Sequence, residues 1–131
     1  MKLNIKGETI VEVLLALTVL AVVLGGVFAI STRSKRTIQD NQERYQAQLI
    51  ANSQADGLKI YVAEHGAPST TSDFCMDGAN LISETDSCKR GDGLYSVKIT
   101  KAPGADDIFI IKVSWEGLNS INNEVNLVYG P

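Results

Sequence analysis

Few residues in this chain have the type and spacing to do chemistry. His65 is the sole imidazole, and no Ser/His/Asp set or glycine-rich phosphate loop accompanies it. No catalytic constellation results, so the expected function is not enzymatic and no cofactor is implied. Cys75 and Cys88 stand with twelve residues between them. A metal site needs more ligands than these two cysteines and His65, so none is expected. A disulfide is expected instead, and closing so short a loop contributes ~3 kcal/mol in the chain-entropy treatment. Asp73, Asp77, Gly78 and Glu84 match four positions of a calcium-loop pattern. Cys75 breaks the third position, and neither flank reads as the helix such a loop requires. Arg90-Gly91-Asp92 lies in a glycine-rich stretch and reads as a solvated loop.

The remaining candidate is an acid in an unusual place. In MKLNIKGETIVEVLLALTVLAVVLGGVFAI, Glu12 is the only charge between Ile10 and Ile30. As a helix that run spans ~31 Å, the thickness of a bilayer's hydrocarbon core. It is longer than the ~7–15 apolar residues of a removable secretory signal, and no A-x-A site follows. The run therefore reads as a membrane anchor. An ionisable group within such a span is costly and normally paired. Its neighbours one helical turn away are Glu8, Thr9, Leu15 and Ala16, none of them a cation. Lys6 reaches it only if the helix continues back through Gly7. Otherwise the counter-charge must come from a new amino terminus made by cutting the chain.

Lys6-Gly7 followed by Glu8-Thr9-Ile10-Val11-Glu12-Val13 and a long apolar run resembles the prepilin signature of type IV pilins and pseudopilins. The resemblance implies cleavage after Gly7 by a prepilin peptidase at the cytoplasmic face, with Glu8 as the first mature residue. The new terminus is usually methylated in that family. The chain departs from the family pattern at Glu8, where phenylalanine or methionine is usual. The resemblance further implies that Glu12 pairs with the α-ammonium of a neighbouring subunit as a filament grows.

The resemblance also bears on orientation. Arg33, Lys35 and Arg36 follow the span, and charge counting favours placing that end in the cytoplasm. The cysteine pair favours the opposite, oxidising side. A prepilin-like reading puts the leader inside and the cysteines outside: a single-pass inner-membrane protein before assembly, and an extracellular filament after it. Net charge is −3, and removing residues 1–7 would leave ten basic against fifteen acidic residues, or −5. That balance gives no footprint for nucleic acid over the whole molecule.

The positioning elements follow from periodicity. With the resemblance, it implies a leader over 1–7, a transmembrane or filament-core helix over 8–31, its amphipathic continuation over 32–65 and an extracytoplasmic head over 66–131. Ala21, Gly25 and Ala29 recur every four residues and form a small-residue stripe suited to close helix packing. Gly25-Gly26 is a candidate soft point, each glycine costing ~1 kcal/mol relative to alanine. Ile38, Tyr45, Leu49, Ala51, Ala55, Leu58 and Val62 fall at helical spacing and are expected to face a core. Gly66 and Pro68 end the helix.

Three alternating segments, Leu94–Thr100, Ile108–Trp115 and Glu124–Tyr129, predict an antiparallel meander over the Leu49–Val62 part of the helix. The expected fold class is α+β, a long N-terminal helix under a small sheet of about three strands. This again resembles pilins, with the short head closer to a minor than a major one. The expected function is a filament subunit. Its partners would be other pilin subunits, the peptidase, an inner-membrane assembly platform and membrane lipid. The alternatives are a type II secretion pseudopilin and a tethered binding domain that never polymerises.

Overall fold

The computed structural model describes residues 8–70, 72–83, 86–105, 107–117 and 120–130. Gly7 and Glu84 lie outside the described residues. One α-helix, α1, runs from Glu8 to His65 and is followed by six strands. These are β1 (Cys75–Asp77), β2 (Asn80–Ile82), β3 (Lys89–Arg90), β4 (Tyr95–Lys101), β5 (Phe109–Glu116) and β6 (Asn122–Tyr129). The fold class is α+β, as the periodicity predicts. The chain divides into two units, Met1–Gln39 and Asp40–Pro131.

In the first unit the only described element is α1. Every residue from 9 to 39 is exposed, including the whole apolar run. The helix continues without a break through Gly25 and Gly26. Thr18 sits within the apolar stretch and bonds its hydroxyl back to the carbonyls of Leu14 (3.1 Å) and Leu15 (2.8 Å). The hydroxyl therefore leaves no unsatisfied donor on an apolar surface.

The second unit holds the core. A four-stranded antiparallel sheet has the order β3-β4-β5-β6, and a separate two-stranded hairpin pairs β1 with β2. The three long strands match the predicted meander to within two residues at each end. Tyr95, Val97 and Ile99 on β4 and Phe109, Ile111, Val113 and Trp115 on β5 point one way and are buried. Their cross-strand register pairs Tyr95 with Trp115, Val97 with Val113 and Ile99 with Ile111. The fourth strand, β3, has two residues, too short for a period-two pattern to announce. β1 and β2 are three residues each for the same reason.

The helix face against this core matches the predicted one in part: Ala51 and Leu58 are buried and Ala55 and Val62 pack beside them, but the large residues before them face elsewhere. Ala47, Ala51, Gln54 and Leu58 are buried, whereas Ile38, Tyr45 and Leu49 are 53%, 62% and 51% exposed. At ~100° per residue the two sets lie on opposite sides of the helix. Small side chains let the sheet and hairpin come close, and bulky Tyr45 and Leu49 would hold them away. At Gly57 the approach is closest: a Cβ there would run into the Gly78 carbonyl oxygen at the hairpin turn. Gly66 then ends α1 in the left-handed region at φ 80°, donating its N–H to the Val62 carbonyl at 2.9 Å.

Two devices fix the hairpin. Cys75 and Cys88 form the expected disulfide, with Cα atoms 5.6 Å apart. Buried Gln54 acts as a surrogate strand partner: its Nε2 donates to the Met76 carbonyl at 2.9 Å, and its Oε1 accepts from the Met76 N–H at 2.7 Å. Arg90 donates to the same carbonyl at 2.9 Å and to those of Ser87 and Lys89. That guanidinium is thus occupied, and of Arg90, Gly91 and Asp92 only the last two lie in the exposed turn over 91–94. Both take positive φ, 59° and 56°.

Gln54→Leu keeps the volume but strands the buried Met76 N–H, while Arg90 still serves the carbonyl. The expected loss is ~2–3 kcal/mol, read by denaturant unfolding with an unchanged m-value. A loss below ~0.5 kcal/mol would show that the amide clamp contributes nothing net.

Candidate functional site

Glu12 lies on the second turn of α1, past the free N–H groups of the first turn. No ion pair or side-chain hydrogen bond joins it to any described residue. It stands at one end of a shallow apolar groove on the helix surface, with Leu15, Ala16, Val19, Leu20 and Val23 along the same face. A carboxylate there is cheap in water. Covered by lipid or by other helices it would lose that hydration, and no described residue supplies a cation to offset the loss.

Glu8, the predicted first mature residue, is the first residue of α1. Ala21, Gly25 and Ala29 are exposed, and no atom lies within 4 Å of a Cβ built on Gly25. The absent side chain therefore meets no need of the monomer. Counted at ~100° per residue, this stripe lies ~180–260° around the helix from Glu12. The two features occupy different faces of α1.

In the second unit, sequence reasoning missed a polar cluster. The Tyr95 hydroxyl reaches Gln46 Oε1 at 3.1 Å and the Glu43 carbonyl at 3.3 Å. Burial and then the nearby Glu43 charge push the Tyr95 phenol above its ordinary value. Trp115, whose ring lies 6.0 Å from that of Tyr95, is buried with its Nε1 unpartnered. No motif marks this cluster; it depends on helix residues meeting β4 and β5 across about fifty positions. Also missed is the outward stripe of Tyr45, Leu49 and Ile60, which are half-exposed or more. Its spacing was readable, but its facing was not.

Of the calcium-pattern residues, Asp73, Asp77 and Gly78 are described. Asp73 accepts from Thr100 at 2.8 Å on one oxygen and pairs with Lys98 at 2.8 Å on the other. Asp77 ends β1 and Gly78 turns the hairpin. Among the described residues no group of three or more His, Cys, Asp and Glu side chains is placed to hold a metal ion. Compared with known proteins, the chain matches no family model, no curated protein and no solved structure.

Two expectations follow. The hydrogen bond from Lys98, then that from Thr100, holds the Asp73 carboxyl below the usual carboxylate range. Its stabilising contribution is complete above ~3.9, the ordinary aspartate value, and fades as pH falls through the depressed one. Asp73→Asn should cost at most ~1 kcal/mol at neutral pH and flatten the fall in melting temperature below about pH 4. An unchanged acid limb would remove Asp73 from that dependence. Gly25→Leu should leave the fold of the isolated chain intact by circular dichroism, because the added side chain meets only solvent. It should reduce association between copies in detergent; unaltered association would remove the small stripe from helix packing.

Proposed function

We propose that this chain is a type IV pilin-like structural subunit, cut after Gly7 and assembled through its N-terminal helix into a cell-surface filament. One observation carries the reading: an unpaired carboxylate, Glu12, on an exposed apolar helix whose first residue is Glu8. That helix is long and apolar enough to cross a membrane. After cleavage Glu8 would bear an α-ammonium. In a low-dielectric bundle, Glu12 and another copy's ammonium are each costly alone and mutually stabilising together. The pair would also set the stagger between helices, which a uniform apolar surface leaves undefined.

The separation of the Glu12 groove from the Ala21–Gly25–Ala29 face supports an open arrangement. Two different faces meeting two different neighbours form a heterologous contact, which propagates unless rotation closes it. The outward stripe of Tyr45, Leu49 and Ile60 gives the second unit an apolar face of its own for such contacts. Thr18 is consistent with the membrane stage, since its hydroxyl is satisfied within the helix.

The mature protein extracted from membranes should begin at Glu8 by mass spectrometry. Intact Met1 in cells with an active prepilin peptidase would leave the tethered-domain alternative standing. Glu12→Ala should be processed and membrane-inserted, yet enter filaments at least ~10-fold less, because the incoming ammonium loses its buried partner. Normal incorporation would remove Glu12 from the assembly step.

A further inference from the structure

Arg33, Lys35 and Arg36 form the one dense basic patch on the described part of α1. All three are exposed, and none forms an ion pair with a described residue. Asp40 lies one turn beyond Arg36 but does not pair with it, and no acid lies between Glu12 and Asp40. Thr32 and Thr37 turn their hydroxyls back to the carbonyls of Phe28 (3.0 Å) and Arg33 (3.1 Å). The cations are therefore the groups here that still lack counter-charges.

Their depth selects a ligand. Ile30 closes the apolar run, so Arg33 and Arg36 stand ~4.5 and ~9 Å further along the axis. A bilayer with a ~30 Å hydrocarbon core measures ~40–45 Å with its headgroups, or ~5–7.5 Å of polar layer on each side. Long cationic side chains starting at those heights reach the phosphate plane. At ~100° per residue the three cover ~160° of the helix circumference. That arc is wider than one packing face and suits a layer that surrounds the helix.

We infer that Arg33, Lys35 and Arg36 form a collar that binds anionic phospholipid headgroups in the leaflet where the apolar span ends. The inference rests on the membrane-crossing reading of α1 and is independent of cleavage or polymerisation. Clustered cations beside a span attract acidic lipid, and the guanidinium fork matches phosphate oxygens. The collar would fix the depth of the helix before any partner is met.

The test uses the full chain in phosphatidylcholine bilayers containing spin-labelled phosphatidylglycerol or spin-labelled phosphatidylcholine. Electron paramagnetic resonance reads the motionally restricted lipid beside the protein. The expected result is about threefold or greater preference for the glycerol lipid at low salt, declining as chloride is added. Arg33→Gln/Lys35→Gln/Arg36→Gln should abolish the preference, Arg33→Lys/Arg36→Lys should keep most of it, and Lys59→Gln should not change it.

Equal partitioning of the two lipids beside the wild-type chain overturns the collar, as would follow if acidic residues of a second copy occupied it. A preference surviving the triple substitution overturns it as well. Inorganic phosphate should lower the preference no more than chloride of equal ionic strength; a stronger effect would make free phosphate the ligand and overturn the lipid assignment. Absence of any restricted lipid, of either kind, would overturn the membrane reading itself.

Discussion

Apolar surface that the chain cannot bury for itself is the constraint on which everything else depends. From residue 9 to residue 39 the helix has no covering layer, and its side chains face outward on all sides. A soluble monomer rarely exposes contiguous apolar area beyond a few hundred Å². This helix is long and apolar enough to cross a membrane. Each polar feature along it gains meaning from that property. Thr18 satisfies itself, Glu12 pairs with no described residue, and the cations at 33, 35 and 36 begin where the apolar run stops.

The second unit solves a different problem with few residues. One face of β4 and β5 supplies most of the buried bulk, while the facing helix supplies two alanines, Leu58 and a single buried amide. That asymmetry allows a short hairpin, too small to fold alone, to be held on three sides. The disulfide ties it to the segment entering β3, Gln54 ties it to the helix, and Phe74 bonds across to Ile99 on β4. Arg90 closes the arrangement by serving three carbonyls at once.

The helix, the three long strands and the cysteine pair were legible because each has a strong local signature: apolar length, period two, or pairing chemistry. The facing of the helix was legible only in part. Tyr45 and Leu49 are as bulky and apolar as Leu58, but they lie on the opposite side of the helix from Ala51 and Leu58, and the sheet packs on the latter side. Hydropathy alone ranks Gln54 as a surface residue; its burial is justified only by the backbone of Met76, twenty-two positions away. Glu12 stood out in the sequence because its surroundings are uniform. The Tyr95, Gln46 and Trp115 cluster did not, because nothing local connects its members.

The position of the covalent bridge has a mechanical consequence. Both cysteines come after His65, so they lie on a branch that begins where the helix ends. Tension between two points on the helix is carried by its own backbone and bypasses the sulfur link. The helix before Ala47 can thus yield or recover with the disulfide outside the load path.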